Sequence, residues 1–534
     1  MSLPVTHEAQ AANLSVLLAQ TAAQFPDRTG LIQGEQQWSW RELNGRVDAL
    51  VAGLRALGLQ AGDKLLVQSR NNVALFESCW AAFRMGLVWV PTNFRLTPPE
   101  LAYLGSSSQA VAMLAEEDFA AHVDAVRAEA PRLRHLITIG RPRPGEIGYE
   151  ALLAAHQGAP TQMAEVRADT PLWYFYTSGT TGRPKAAMLT HGQMAFVVTN
   201  HLADLIPGTD ESDCSIAVAP LSHGAGIHAL LNVARGAATV LLASERLEPE
   251  QVWRLVERHR VSNLFTVPTI VKMLVEDASV DRYDHSSLRY LIYAGAPMYR
   301  ADQRRALQKL GPVLVQYFGL GEVTGCITVL PASMHGLDDA DPNANIGSCG
   351  RPRTGMEVAI LDAQLRPLPV GEVGEICCRG PAVFAGYFDN PEATAKALRG
   401  GWFHTGDLGR LDARGLLYIT GRESDMYISG GSNVYPREVE EVLLLHPDVA
   451  EVAVLGVPDP KWGEVGVAVI VASRPGLSAE TLLAHLEGRC ARYRWPRHFF
   501  FWDALPKSGY GKITKKEVRE QLYHRGELQM APAD

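Results

Sequence analysis

The stretch of residues 172–185 constrains the fold of this chain more than any other. It begins with an apolar and aromatic run, Leu-Trp-Tyr-Phe-Tyr, which is typical of a buried strand. The run leads directly into Thr-Ser-Gly-Thr-Thr-Gly and then, after Arg-Pro, into Lys185. Glycine lets backbone N–H groups approach an anion closely, hydroxyl groups add donors, and lysine supplies a mobile cation. The stretch therefore predicts a core strand and a polyphosphate-binding loop, although its glycine spacing is not that of the Walker motif and a solvated turn has a similar composition.

The composition indicates a large globular protein. The 534 residues suffice for two or more domains, and 47% hydrophobic with 20% charged residues argue against extended disorder. With 50 basic and 58 acidic residues the net charge is −8, so no overall positive field favours nucleic acid or an anionic membrane. Residues 1–10 lack the apolar run of a signal peptide, and the longest uncharged stretch, 215–234, is too polar for a membrane helix. Seven scattered cysteines without CxxC spacing predict reduced thiols, and we expect a cytoplasmic protein.

The rest of the chain alternates between helical and strand-like patterns. Residues 14–108 combine apolar residues at helical spacing with short strand-like runs, which predicts an α/β region. Glycine-bounded runs at 345–352 and 371–380 predict short β-hairpins and hence a β-rich subdomain. The C-terminal part predicts a compact α+β unit, with strands at 449–457, 465–472 and 498–502, a helix at 479–491 and a final helix from Thr514.

Several strand-like runs end in turns that carry chemically useful groups. One leads to His223 among small residues, which is as typical of a core histidine as of a pocket wall. The turn 295–297 leaves backbone bare, so a flat heteroaromatic base could lie against it. Asp407 follows Thr-Gly, and its carboxylate can accept from both hydroxyls of a ribose, although such a run is also an ordinary turn. Lys512 lies on a glycine-flanked basic loop, which alone indicates no more than a surface loop.

The segment 176–185 resembles the signature phosphate loop of the adenylate-forming superfamily, which comprises acyl- and aryl-CoA synthetases, peptide-synthetase adenylation domains and beetle luciferase. Further segments resemble its other motifs in the expected order, among them the turn 295–297, the run 317–322 and the loop at Lys512, and the likeness spans residues 14–522. It implies an acyl-CoA synthetase of fatty acid metabolism. Such a ligase uses ATP and Mg²⁺ to activate a medium- or long-chain fatty acid or an aromatic acid as acyl-AMP, and then transfers the acyl group to coenzyme A.

The resemblance implies roles for individual residues. The implied nucleotide-binding residues are Thr177, Ser178, Gly179, Thr180, Thr181, Gly182, Gly295, Ala296, Pro297, Tyr317, Phe318, Gly319, Asp407 and Arg422. Lys512, Lys185 and Glu322 are the implied catalytic residues, and Thr177 with Glu322 the implied Mg²⁺ ligands. The implied acyl pocket holds His223, Gly224, Ala225 and Gly226, and the implied CoA passage holds Ser429, Gly430 and Gly431. Three residues depart from the superfamily pattern: Phe318 replaces a tyrosine, Gly321 a threonine that touches the α-phosphate, and Ser424 a hinge lysine or aspartate.

The resemblance also implies an architecture. We expect an α/β protein with a large N-terminal domain of packed α/β subdomains and a β-rich subdomain over residues 1–422. A hinge at 423–426 and a small, mobile C-terminal α+β domain at 427–534 would follow. The implied partners are a carboxylic acid, ATP and CoA, with no nucleic acid and no integral membrane segment, and a homodimer is left open. Gly319 stands where short-chain synthetases have tryptophan, so with Gly224 and Gly226 it implies room for a larger acyl group.

Three alternatives remain at this stage. A carrier protein could replace CoA, although no carrier domain is attached, which favours free CoA. Luciferase-like oxygenation through an adenylate requires a substrate with an acidic α-C–H, and no residue indicates it. The glycines at 319, 321 and 325 follow a strand as in a dinucleotide turn, which would suit an NAD(P)-dependent oxidoreductase. The acidic residues at 338–341 lie in a loop pattern and not at a strand end, which disfavours that reading.

Overall fold

The computed structural model describes residues 10–11, 13–159, 161–177, 183–242, 246–296, 298–341, 344–422, 424–429, 432–507 and 513–528. The first half of the chain contains β1 (Gln10–Ala11), α1 (Val16–Gln24), β2 (Thr29–Gln33), β3 (Gln36–Ser39), α2 (Trp40–Ala56), β4 (Lys64–Gln68), α3 (Val73–Met85), β5 (Val88–Pro91), α4 (Pro98–Ser107), β6 (Ala112–Glu116), α5 (Ala120–Glu129), β7 (His135–Ile139), β8 (Ile147–Gly148), α6 (Tyr149–Ala155), β9 (Val166–Arg167), β10 (Pro171–Thr177), β11 (Lys185–Thr190), α7 (His191–Asp204), β12 (Cys214–Ala217), α8 (Gly224–Arg235), β13 (Ala238–Leu241), α9 (Pro249–His259) and β14 (Asn263–Thr266). The second half contains α10 (Pro268–Glu276), β15 (Tyr290–Tyr293), α11 (Arg300–Leu310), β16 (Leu314–Phe318), β17 (Thr328–Leu330), β18 (Ser348–Pro352), β19 (Glu357–Leu361), β20 (Gly374–Arg379), α12 (Pro391–Ala397), β21 (Phe403–Leu411), β22 (Leu417–Arg422), β23 (Tyr427–Ser429), β24 (Ser432–Val434), α13 (Pro436–Leu444), β25 (Val449–Asp459), β26 (Gly463–Ala472), α14 (Ala479–Leu486), β27 (His498–Phe501) and α15 (Lys515–His524).

Two large sheets organise the part of the chain that ends at β22. A seven-stranded sheet has the order β11-β10-β5-β4-β6-β7-β8, and a thirteen-stranded sheet has the order β19-β20-β21-β22-β18-β17-β16-β15-β14-β12-β13-β2-β3. One hydrophobic core contains residues of both sheets and of helices α2, α3 and α8 between them. Helices α4 and α5 cover the outer face of the smaller sheet, and α9, α10 and α11 cover the outer face of the larger one. The result is a stack of five layers, α/β/α/β/α.

The central helices α3 and α8 are mostly apolar, and the charged residues of α3, Glu77 and Arg84, are ion-paired inside the core. In α3 every residue from Ala74 to Met85 is buried, and in α8 every residue from Gly224 to Val233 is buried. Each of these two helices ends at a glycine in the left-handed conformation, Gly86 with φ 69° and Gly236 with φ 72°. Helix α8 starts directly after His223, so the fold places this histidine at the end of the layer between the sheets.

The β-rich region continues the larger sheet. Strands β2, β13, β12, β14, β15 and β16 pair in parallel, whereas β16 to β22 pair antiparallel. The hairpin expected over 345–352 does not form, because β18 pairs with β17 and β22. The hairpin expected over 371–380 does not form either, because this run contains one strand, β20, which pairs antiparallel with β19 and β21. Only glycine fits at Gly350, with φ 89°, since a Cβ there would lie 1.9 Å from the carbonyl oxygen of Val329.

The C-terminal part has its own sheet, of order β24-β23-β26-β25 with β27 beside β26. Helices α13 and α14 pack on one face and α15 on the other. The helix expected over 479–491 ends at Leu486, because Glu487 is extended and Gly488 has φ 75°. The predicted fold class, a large α/β part followed by a small α+β part, is confirmed. Among the helices of the described ranges, none is both long and apolar enough to cross a bilayer.

Candidate active site

The two large sheets meet at the ends of β10 and β16. Strand β10 ends at Thr177, and β16 leads through Gly319 to the short helical turn at Glu322. The Thr177 hydroxyl donates a hydrogen bond of 3.0 Å to Oε1 of Glu322, across the junction of the sheets. The two residues expected to bind Mg²⁺ are therefore in direct contact.

Glu322 is a buried carboxylate, only 5% exposed. Besides Thr177, the hydroxyl of Tyr387 donates to its Oε1 at 2.8 Å, and its backbone carbonyl accepts from the N–H of Phe384 at 2.8 Å. Within the described parts of the chain no lysine, arginine or histidine forms an ion pair with it. A buried carboxylate that contacts only neutral donors would be stabilised by a bound cation. Carboxylate and hydroxyl groups also provide the hard oxygen ligands that Mg²⁺ prefers. The residues present therefore fit a magnesium ion.

Tyr387 links Glu322 to Lys185. The Nζ of Lys185 lies 5.1 Å from the centroid of the Tyr387 ring, whose hydroxyl contacts Glu322. Burial, reinforced by the Glu322 carboxylate, raises the pKa of Tyr387 above its ordinary value, so the hydroxyl stays protonated and donates. Sequence analysis did not identify this residue. The sequence signal was weak, a tyrosine after a glycine at the end of a mainly apolar run.

The departure at Gly321 has a steric explanation. A Cβ at this position would lie 2.6 Å from Cδ1 of Phe175 and 3.0 Å from Cγ2 of Thr177. The Phe175 ring, in turn, packs edge-on against His223 with 4.6 Å between centroids. Phe175 thus fills the space that a threonine side chain at position 321 would need.

The residues expected around the base and ribose lie on neighbouring strands. Gly295, with φ 83°, and Ala296 follow β15, and Phe318 ends the adjacent β16. Asp407 and Arg422 are direct partners in β21 and β22, and Nε of Arg422 donates to Oδ1 of Asp407 at 3.1 Å. Asp407 is 6% exposed, so the arginine holds a buried carboxylate in a fixed orientation.

A second cluster supports the part of strand β21 that precedes Asp407. Oε2 of Glu375 accepts from Nδ1 of His404 at 2.7 Å, and Oε1 accepts from the N–H of Gly406 at 3.2 Å. Glu375, Cys377 and His404 are close enough to share a metal, but Arg399 already pairs with the carboxylate at 2.8 Å. We therefore regard this cluster as structural.

The glycines near His223 do not leave open space. A Cβ on Gly224 would lie 2.8 Å from the Phe265 ring, and one on Gly226 would lie 2.0 Å from the carbonyl oxygen of Leu221. A Cβ on Gly319 would lie 2.5 Å from Cα of Gly325. These glycines were expected to leave room for a large acyl group. That reason is wrong, because neighbouring atoms occupy the space beside each glycine. The close approach of 319 and 325 also accounts for the dinucleotide-like glycine pattern.

The Tyr317 side chain lies in an aromatic stack beside α8. Its ring is parallel to Phe265, with centroids 5.7 Å apart, and to His228, with centroids 5.8 Å apart. Phe318, next along β16, packs instead with Ile360, Ile376 and Leu417 of the β-rich region. Side chains alternate along a strand, so the side chains of Tyr317 and Phe318 lie on opposite faces of the sheet.

Part of the expected site lies outside the described residues: Ser178, Gly179, Thr180, Thr181, Gly182, Pro297, Gly430, Gly431 and Lys512. Ser429 ends β23 and pairs with Gly463 at the start of β26. Near this pairing, Trp462 is 37% exposed, and its ring lies 5.4 Å from Nζ of Lys461 and 5.2 Å from the guanidinium of Arg497. This group of an exposed indole and two cations was not identified from the sequence.

Comparisons with known proteins agree with the motifs. Residues 18–388 match the AMP-binding enzyme family, and residues 438–512 match the AMP-binding enzyme C-terminal domain. A feruloyl-CoA synthase from Amycolatopsis sp is 38% identical over 504 residues, which cover 94% of this chain and 97% of that protein.

Two solved structures are also similar. The ATP-bound structure of MatB from Rhodopseudomonas palustris has a TM-score of 0.86 at 28% identity, covering 96% of this chain and 99% of that one. The o-succinylbenzoate CoA synthetase MenE from Bacillus subtilis, in complex with the acyl-adenylate intermediate OSB-AMP, has a TM-score of 0.83 at 29% identity, covering 94% and 97%. The chain therefore belongs to the AMP-binding enzyme family, and it is an acyl-CoA synthetase with the adenylate-forming fold, as its motifs predicted.

Proposed function

We propose that this enzyme joins an aromatic carboxylic acid to coenzyme A in two half-reactions that share the site around Glu322. The observation that carries the proposal is the contact between Thr177 and Glu322, which joins the end of the phosphate-loop strand to a buried carboxylate of the other sheet. Lys185 lies beside Tyr387, which holds the same carboxylate. These residues could together bind a divalent cation and the phosphates of ATP beside the substrate carboxylate.

In the first half-reaction, an oxygen of the substrate carboxylate attacks the α-phosphorus of ATP. The bond between that phosphorus and the bridging oxygen of pyrophosphate breaks, and acyl-AMP forms. Lys185 and Lys512 stabilise the negative charge that grows on the phosphate oxygens. A magnesium ion held by Glu322 and Thr177 would neutralise further phosphate charge. Tyr387 keeps the Glu322 carboxylate oriented throughout.

The nucleotide is held by two neighbouring parts of the larger sheet, strands β15 and β16 and strands β21 and β22. Asp407 accepts hydrogen bonds from the ribose hydroxyls, while the base lies against the backbone at Gly295 and Ala296 and beside Phe318. The ion pair between Arg422 and Asp407 supports this role, because it fixes the orientation of a buried carboxylate. Elsewhere in the superfamily a threonine at position 321 contacts the α-phosphate. Here Phe175 fills the space of that side chain, so a backbone group or a water molecule must make the contact.

In the second half-reaction, the deprotonated thiol of CoA attacks the acyl carbonyl carbon and AMP leaves. We propose that residues 427–534 turn relative to residues 1–422 about the linker 423–426, which withdraws Lys512 and brings Ser429, Gly430 and Gly431 to the adenylate. The separation of the sheets supports this boundary, because the larger sheet ends at Arg422 and the small sheet begins at Tyr427.

The group formed by Trp462, Lys461 and Arg497 suits the nucleotide end of CoA. An exposed indole can stack on adenine, and the two cations can bind phosphate. Lys461 and Trp462 lie in the turn directly before Gly463, the residue that pairs with Ser429, and Arg497 precedes β27. This placement supports free CoA as the acceptor in preference to a carrier protein.

The choice of an aromatic acid rests on the relatives and on the site. The feruloyl-CoA synthase and the o-succinylbenzoate CoA synthetase are named for acids that contain an aromatic ring. Around His223 this chain has the aromatic side chains Phe175, Phe265 and Tyr317, against which a flat ring packs well.

The test separates the two half-reactions. Release of pyrophosphate and AMP is measured for a panel of aromatic, fatty and short-chain acids, with and without CoA. We expect aromatic acids to be the best substrates and AMP release to require CoA for turnover. Acetate as the best substrate, or the absence of adenylation with every acid, would refute the proposal.

The role of Lys512 is tested with the Lys512→Ala variant. We expect a loss of at least about a hundredfold in adenylate formation, with thioester formation from supplied acyl-AMP largely retained. Lys516→Ala is the matched control, because this exposed lysine forms only a long contact of 3.9 Å to Glu520 and should affect neither step. Equal loss of both half-reactions in Lys512→Ala would contradict the proposed domain rotation.

A further inference from the structure

A small cavity lies between helix α8 and strands of the larger sheet. The stripe of α8 that faces it consists of Ala225, His228, Ala229 and Asn232, at the spacing of one helix face. Opposite them, strands β12, β13 and β14 form the floor. The volume is about 10 Å³, enough for the centre of one oxygen atom but not for an extended chain.

The far end of this cavity is polar. Nδ2 of Asn263 donates to Oδ1 of Asn232 at 3.1 Å, and the hydroxyls of Ser215 and Thr239 lie 3.1 Å apart. All four residues are buried and line the cavity. An apolar group placed here would face amide and hydroxyl groups that it cannot hydrogen-bond.

His228 provides the group that still needs a partner. Its side chain lines the cavity, the residue is 5% exposed, and Nε2 is buried without a hydrogen-bond partner among the described residues. The ring is fixed by stacking on Phe265, with 4.3 Å between centroids and 9° between planes. Burial, together with the charge of Arg353, lowers the pKa of His228 to about 3, so the imidazole is neutral and can donate or accept.

We propose that this cavity receives a single hydrogen-bonding substituent, a hydroxyl or carbonyl oxygen, at the end of the acid opposite its carboxylate, and that His228 binds it. The substrate class is then a ring-hydroxylated aromatic acid. This inference rests on the proposed function, since it concerns the acid that is adenylated. A buried donor or acceptor left unpaired is unfavourable, so the site should discriminate against an acid that lacks the substituent.

The same geometry disfavours fatty acids. The small residues Ala225 and Ala229 line the cavity together with the two hydrogen-bonded polar pairs. An alkyl chain would have to separate these hydrogen-bonded pairs without replacing their bonds. Specificity therefore comes from the polar floor under α8 and from His228, and the glycines near His223 serve close packing.

The experiment compares matched acids. Values of kcat/KM for pyrophosphate release are measured with 3- and 4-hydroxycinnamic acid, cinnamic acid, 4-methylcinnamic acid and decanoic acid. We expect one hydroxylated acid to exceed cinnamic acid by about tenfold to a hundredfold, and 4-methylcinnamic and decanoic acid to be poor. His228→Phe should abolish the preference while activity on cinnamic acid is retained, and His228→Gln should restore part of it.

A second histidine serves as the control. His191 also has a buried Nε2 without a partner among the described residues, but it does not line the cavity, so His191→Phe should leave the ratio unchanged. The inference is overturned if cinnamic or decanoic acid is preferred, or if His228→Phe keeps the wild-type ratio. Should no acid be adenylated, the proposed function fails; direct calorimetric binding of 4-hydroxycinnamate and cinnamate then decides this inference, and equal affinities overturn it.

Discussion

Replacing Gly321 by threonine restores the residue that the superfamily pattern has at this position, yet we expect the change to be harmful. The new Cβ would lie 2.6 Å from the Phe175 ring and 3.0 Å from Thr177, both closer than ordinary contacts. Overpacking of this kind costs about 1–3 kcal/mol in the free energy of unfolding. Displacement of Thr177 by a few tenths of an ångström should also reduce the rate of adenylate formation about tenfold, because the proposed mechanism uses the Thr177–Glu322 contact in that step.

The double variant isolates the cause. Phe175→Leu removes the ring edge that obstructs position 321, so the combination with Gly321→Thr should be less damaging than the sum of the single changes. We expect a coupling energy of about 0.5–3 kcal/mol, as for residues in direct contact. Gly45→Thr is the matched control, since nothing lies within 4 Å of a Cβ there.

Urea unfolding gives the stability differences, and pyrophosphate release with saturating ATP gives the rate. The reasoning is refuted if Gly321→Thr is as stable and active as the natural protein. It is equally refuted if the effects of Gly321→Thr and Phe175→Leu are additive, because the proposed clash predicts that they depend on each other.

Further predictions concern the hydroxyl of Tyr387, buried histidines and Trp462. Tyr387→Phe should lower adenylate formation about tenfold to a hundredfold through loss of a charge-assisted hydrogen bond to Glu322, with thioester formation from supplied acyl-AMP unchanged; equal effects on both steps would contradict this. Burial lowers the pKa of His191 to about 4 from an ordinary 6.5. As pH falls from 6.5 towards 4, the histidine is protonated in the unfolded state but not in the folded state, so the free energy of unfolding decreases. Urea titrations across this range should show a flatter profile for His191→Phe, and an unchanged slope would argue against it. Trp462→Ala should raise KM for CoA about tenfold while leaving pyrophosphate release unchanged, as expected for loss of a stacking surface, and a normal KM would exclude that role.

Local patterns predicted much of the fold. The strand before the phosphate loop was predicted over 172–176 and extends over Pro171–Thr177, because an apolar run followed by glycine and hydroxyl residues has few other solutions. The end of α14 was missed, since the apolar spacing continues past Leu486 while backbone conformations at Glu487 and Gly488 end the helix. The pairing of β18 with β17 and β22 was missed as well, because register between distant strands is set by tertiary packing.

For the site, the sequence predicted the contact between Thr177 and Glu322 but not the packing around it. Thr177 and Glu322 are 145 residues apart, so only the family resemblance could bring them together before the structure was known. Tyr387 was missed because its role depends on a hydrogen bond to a distant carboxylate. The glycines at 224, 226 and 319 were interpreted as open space, whereas atoms of Phe265, Leu221 and Gly325 occupy it. A missing side chain indicates close packing as often as it indicates room.

Arg422, the last residue of β22, takes part in two sets of hydrogen bonds. Arg422 holds Asp407 through its side chain, and its carbonyl oxygen accepts from the N–H groups of Asp425 and Met426 at 3.1 Å each. If the C-terminal domain turns about the proposed linker, the turn would have to break those two backbone bonds, immediately beside the proposed ribose contact of Asp407. In the proposed mechanism one arginine would then couple nucleotide binding to the position of the domain, and release of AMP should coincide with return of the domain.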